Sequence, residues 1–133
     1  MTRFTRISAA AFAIALSVVP AVANSTIKPL SPVGQWELTT GESRFNVTLC
    51  GDGTQLCAKL TWLRSDARTP DSEALLNKYV LLNAKMALTN KWRGEAQYQG
   101  ETVKGTITMV DANTMTLDGC KGALCKLVKL KRI

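Results

Sequence analysis

Four cysteines are the residues whose type and spacing could carry chemistry. Cys50 and Cys57 bracket Gly51-Asp52-Gly53-Thr54-Gln55-Leu56, and Cys120 and Cys125 bracket Lys121-Gly122-Ala123-Leu124. A four-thiolate zinc site wants C-x2-C or C-x4-C pairs with a matching partner, which these unequal gaps do not supply, and the chain has no histidine to complete a mixed site. A thiol oxidoreductase would need C-x-x-C, which is absent. Two disulfides remain, with three connectivities open in principle. Each pair spans a turn-like segment, so the spacing favours Cys50–Cys57 and Cys120–Cys125, each stapling its own hairpin.

Other chemistry lacks parts. Without histidine, G-x-S-x-G or paired carboxylates on an apolar face, nucleophilic and general-base schemes have no candidates, so neither an enzyme nor a cofactor is expected. Lys121, Lys126, Lys129, Lys131 and Arg132 crowd the last thirteen positions. Of these, Lys126, Lys129, Lys131 and Arg132 are candidates for an anion-binding surface, against the plainer reading of a solvated strand face. Trp36, Trp62, Trp92 and Tyr98 are candidates for contact with a small apolar ligand.

The compartment follows from the first 23 residues. Arg3 and Arg6 form a basic n-region, Ile7 to Val19 an apolar h-region, and Ala21-Val22-Ala23 an A-x-A cleavage site, the pattern of a secretory signal peptide. The apolar run stops at Pro20, short of the roughly 20 residues that a membrane span needs. Cleavage would leave Asn24 to Ile133, with residues 24–33 an extension ahead of the domain at 34–133. Loss of Arg3 and Arg6 from 17 basic residues leaves 15 against 10 acidic ones, so the net charge falls from +7 to +5. Periplasmic or secreted placement, no transmembrane span after cleavage, a monomer and no nucleic-acid partner are the expectations.

Period-two alternation dominates the exported part, and phase tests each hairpin, because directly opposed residues in an antiparallel pair share a face. Cys50 opposite Cys57 sets Val47 against Leu60 and Phe45 against Trp62. A two-residue turn at Gly41-Glu42 sets Leu38 against Phe45 and Trp36 against Val47. A turn at Gln99-Gly100 sets Ala96 against Val103, Gly94 against Gly105 and Trp92 against Ile107. Three-residue loops at Thr89-Asn90-Lys91 and Asp111-Ala112-Asn113, each with an Asn tolerant of positive φ, set Met86 against Gly94 and Met109 against Met115. Cys120 opposite Cys125 sets Leu117 against Val128 and Met115 against Leu130, with Lys126 on the inner face as a sign of a bulge.

Eight strands are thus predicted, at about 34–40, 43–50, 56–64, 79–88, 92–99, 101–110, 114–120 and 124–132. Residues 65–78 form one longer loop or short helix, with Asp71 as a cap. The fold expected is all-β, a small antiparallel eight-stranded meander barrel, with a two-sheet sandwich as the alternative. An outer-membrane barrel is excluded by its outer face, where Lys59, Arg93, Lys104, Lys129 and Lys131 would each cost roughly 2–4 kcal/mol near the bilayer midplane. The interior is expected to be filled by its own side chains, with one apolar ligand as the other outcome.

Gly34-Gln35-Trp36, Leu49-Cys50-Gly51, Leu56-Cys57-Ala58-Lys59-Leu60, Trp92-Arg93-Gly94, Gly119-Cys120 and Lys131-Arg132 together resemble the DUF2147 family of exported bacterial proteins over roughly residues 33–133. Ala58 stands where that pattern has glycine, and no tryptophan precedes Arg132. The resemblance implies envelope export and a small β-barrel and carries no catalytic residue. Gly34-x-Trp36 with Arg132 in the last strand is also similar to the lipocalin-like closing arrangement of calycins, an arginine packed over the first-strand tryptophan. The function expected is a non-enzymatic binding or accessory module of the cell envelope, working on an anionic envelope component through its loops, the 65–78 segment or the basic last strand; the alternatives are a lipocalin-like carrier of a small apolar ligand and a periplasmic enzyme inhibitor with a projecting loop.

Overall fold

A computed structural model describes residues 10–11, 13–21, 29–98 and 100–133. Most of the signal-like segment, including Arg3, Arg6, Val22 and Ala23, and the turn residue Gln99 lie outside them. Eight antiparallel strands form a closed barrel in sequence order: β1 (Gly34–Leu38), β2 (Ser43–Cys50), β3 (Gln55–Leu63), β4 (Tyr79–Leu88), β5 (Lys91–Tyr98), β6 (Glu101–Asp111), β7 (Thr114–Lys121) and β8 (Leu124–Arg132). Between β3 and β4 lie a 3-10 turn at Ser65–Ala67 and the helix α1 (Pro70–Leu75). Thr69 caps α1 instead of Asp71, because Pro70 has the fixed φ and missing N–H suited to the first helical position. The Thr69 hydroxyl accepts from Ser72 N, while the Thr69 N–H donates to Ser72 Oγ at 2.8 Å. Among the described residues, no helix is long and apolar enough to cross a membrane.

From β5 to β8 the register follows the alternation, with one irregularity between Met109 and Asp111 at the end of β6: Gly94 opposes Gly105, Ala96 Val103, Met109 Met115, Leu117 Val128 and Cys120 Cys125. The β7–β8 pair has no bulge, so Lys126 opposes Gly119 directly and its inward position is real. Asn90 takes φ +61 as expected; Asn113 does not enter the positive region.

From β1 to β3 the pairing slips by two, which leaves every side chain on its face. Asp52 Oδ1 accepts from Thr54 N at 3.0 Å and Gly53 N donates to Cys50 O at 3.0 Å, tightening the loop to Gly51–Thr54 and opposing Cys50 to Gln55. Cys50 and Cys57 are therefore diagonal neighbours, still bonded, with Cα atoms 5.9 Å apart. The first loop instead lengthens. Gly41 N donates to Leu38 O at 2.8 Å, Arg64 Nη1 donates to Thr40 O at 3.0 Å, and Trp36 opposes Phe45.

Bulges, which insert one residue and invert the alternation, account for the misplaced side chains. One beside Arg44 and Phe45 leaves Thr61 unpaired, so Trp62 opposes Arg44 on the outer face and Leu63 takes the inner one. Others in β4, around Asn83 at φ +50, turn Leu81 and Ala84 inward and leave Leu82 opposite Glu95, while Met86, at the strand's end, is half exposed.

The meander gives the barrel two ends. At the base, Trp36, Val47, Leu56, Trp92, Ile107, Met109 and Met115 are each no more than 4% exposed. The space beside the opposed Gly94 and Gly105 is closed by neighbouring atoms: a Cβ on Gly94 would fall 2.5 Å from Leu82 O, and one on Gly105 2.8 Å from Ala96 Cβ. Residues 29–33 cross beneath. Leu30 N donates to Asn90 Oδ1 at 2.8 Å, and buried Trp36 donates from Nε1 to Pro32 O at 2.9 Å.

β1 pairs with β8 to close the barrel, Trp36 opposite Arg132. The Arg132 guanidinium lies 4.4 Å from the Trp36 ring centroid and donates to Ser31 O, Val33 O and Ala112 O at 2.7–3.0 Å. The same seam is tied outside, where Glu37 accepts from Arg44 at 2.8 Å and faces Lys131 at 3.5 Å, and Arg44 stacks 4.4 Å from the Trp62 ring.

Candidate functional site

At the other end the inner face tapers. Tryptophan and methionine give way to Ala96, Val103, Gly119 and Val128, and these small side chains cannot meet across the barrel. The result is a cavity of about 250 Å³. Every strand contributes to its wall: Leu38 from β1, Ser43 and Phe45 from β2, Leu60 and Leu63 from β3, Val80 from β4 and Ala96 to Tyr98 from β5. Val103, Leu117, Gly119, Lys126 and Val128 complete the circle, and Ser72 and Leu75 of α1 border it from the 64–78 segment. The interior is thus filled at the base and hollow at the mouth, where full packing was the expectation. A Cβ on Gly119 would meet only Val103 Cγ2, at 3.6 Å, so the space beside it is open.

Polar groups in this wall are few. Ser43, 5% exposed, brings a hydroxyl among the apolar side chains. Lys126 reaches from β8 toward Tyr98, its Nζ 3.4 Å from the phenol oxygen and 5.3 Å from the ring centroid. Among the described residues, no Asp or Glu lines the cavity. Apolar walls with a few convergent polar groups are the usual construction of a small-molecule site.

Of the four aromatic candidates, only Tyr98 lines this cavity. Trp36 and Trp92 belong to the packed base, and Trp62 stands outside beneath Arg44. Sequence reasoning missed the smaller wall residues, whose one signal was the loss of bulk along the inner face of β5 to β8.

The four basic candidates do not form one surface either. Lys126 belongs to the mouth, Lys131 is paired to Glu37, and Arg132 is held by three carbonyls and Trp36. Lys129 alone stands on the outer face with no ion-pair partner among the described residues. The Glu37 carboxyl is held below its ordinary range by the Arg44 hydrogen bond, then by the charges of Arg44 and Lys131.

All four cysteines are spent in the two local disulfides. Asp118, Cys120 and Cys125 bring donor atoms within 4.8 Å of one another, yet both sulfurs are bonded to each other and neither can become the thiolate a metal would need.

No curated protein and no solved structure matches the chain. A bacterial family described as an uncharacterized protein conserved in bacteria matches residues 34–132, the span from the first residue of β1 to the closing arginine of β8. The match takes in the whole barrel, both disulfides and the seam, and the chain belongs to this family, DUF2147.

Proposed function

We propose that this protein is a non-enzymatic binding protein of the bacterial envelope, periplasmic or secreted, that holds one small apolar molecule in the mouth of its barrel. The cavity built from all eight strands carries the reading. Neighbouring atoms close the space beside Gly94 and Gly105 toward the base, whereas Ala96, Val103, Gly119 and Val128 leave the mouth unfilled. At roughly 30 Å³ for a water-sized unit, 250 Å³ holds about eight such units, the scale of a short alkyl chain.

Export is supported by the signal-like sequence and by Ile14, Leu16, Val18 and Val19, which remain 80–88% exposed and pack against nothing in the barrel. Two disulfides suit an oxidising compartment. An inhibitor would want a projecting loop, whereas the longest connection folds onto the mouth through Ser72 and Leu75. A surface adaptor working through its basic strand has less to work with, since those cations are divided among separate places.

The test is calorimetric titration with 1-octanol, a neutral probe of the right size. One-to-one binding with Kd below about 1 mM is expected, and Gly119→Leu, which fills the open space beside Gly119, abolishes it while the protein stays folded. Absence of binding to the wild type, or undiminished binding to Gly119→Leu, overturns the reading.

A further inference from the structure

Lys126 breaks the pattern of its strand. β8 turns Val128 and Leu130 inward, and Lys126 occupies the same side, while Leu127, 63% exposed, faces solvent opposite Asp118. A lysine that only served solubility would sit at the outward position next door. Instead it opposes Gly119, whose missing side chain leaves its inner side open.

No carboxylate pairs with Lys126 among the described residues: Glu101 is paired to Lys121, and Asp118 stands on the outer face of β7, opposite Leu127. The contacts of Lys126 are with Tyr98, whose hydroxyl and ring face hold an ammonium at the rim without neutralising it. A cation placed where an apolar wall meets solvent complements a molecule with an apolar tail and a negative head.

We propose that the ligand is a single-chain amphiphile, its alkyl tail in the cavity and its anionic headgroup, a carboxylate or a phosphate, beside Lys126. This rests on the carrier reading above. The tail supplies affinity by burial, about a fourfold gain per buried methylene, and Lys126 supplies selectivity for the sign of the head.

The experiment compares octanoate, octyl phosphate, 1-octanol and octylammonium on the full chain by calorimetry. At least one anion should bind about five- to tenfold more tightly than octylammonium, and the better of octanoate and octyl phosphate identifies the head. Lys126→Gln should erase that preference, the two anions and octylammonium then binding within about twofold of one another. Lys129→Gln, on the outer face of the same strand, should keep it, which separates a local contact from net charge. Binding of 1-octanol without preference for an anion overturns the inference and leaves the carrier reading intact, whereas failure of all four probes overturns both. A preference that survives Lys126→Gln, or falls equally in Lys129→Gln, also overturns it.

Discussion

Adding one methyl group at Gly94 and at Gly119 should have opposite consequences, although both are inward-facing glycines of the same barrel. At Gly94 the new Cβ falls 2.5 Å from Leu82 O, 2.7 Å from Ala84 Cα and 2.8 Å from Ala84 N. All three belong to the backbone of the β4 bulge, so no side chain can swing away, and relief requires moving a strand. Overpacking typically costs about 1–3 kcal/mol, and a backbone clash belongs at the upper end. At Gly119 the only neighbour among the described residues is Val103 Cγ2 at 3.6 Å, an ordinary contact beside open space, so Gly119→Ala should be neutral or stabilise by about 0.4–1 kcal/mol through the unfolded chain. Urea unfolding followed by tryptophan fluorescence measures both. A domain of this size shifts in Tm by about 4–8 °C per kcal/mol, so Gly94→Ala should lower Tm by roughly 12 °C or more. Equal effects at the two sites would refute the claim that the bulge seals the base while the mouth is hollow.

Arg132→Ala removes the guanidinium from Trp36 and three backbone carbonyls and should cost about 2–3 kcal/mol, read as a lower urea midpoint at unchanged m. Arg132→Lys should recover only part of that, since an ammonium cannot reproduce the planar fork. Replacing either disulfide with two serines should cost about 2–2.5 kcal/mol on the chain-entropy estimate for such short loops. The Cys50–Cys57 replacement should be the worse, because Cys57 is 3% exposed and its serine would be buried. The depressed Glu37 carboxyl contributes stability that is fully present above the ordinary value of 4.5 and is lost as pH falls through its lower folded value. Glu37→Gln should therefore flatten the acid limb of a stability–pH curve and leave the slope at neutral pH unchanged; an identical acid limb would remove Glu37 from the seam's electrostatics.

The barrel was legible because its information is local and periodic. From β5 to β8 the connections are each two residues long, and alternation fixed which residues oppose one another. Two-residue slips at Gly51–Thr54 and Thr39–Glu42 were invisible, since they leave every side chain on its face and depend on hydrogen bonds from Asp52 and Arg64. Bulges were invisible for the opposite reason: one inserted residue moves Trp62 outside, while composition stays that of a regular strand. The site suffered most. Large aromatics attract attention as ligand contacts, yet Trp36 and Trp92 fill the base, and the cavity exists because Ala96, Val103, Gly119 and Val128 are too small to fill the mouth. Lys126 was visible as a break in phase, but only the unbulged β7–β8 register shows that it faces inward.

The hollow mouth is tested most directly by titrating the isotopically labelled protein with 1-octanol and following amide and indole resonances by NMR. Saturable shifts are predicted at Leu60, Ala96, Val103, Leu117 and Val128, with the indole signals of Trp36 and Trp92 unmoved in the packed base. Shifts confined to the base or to the outer face around Trp62, or no saturable shift at all, would contradict the account.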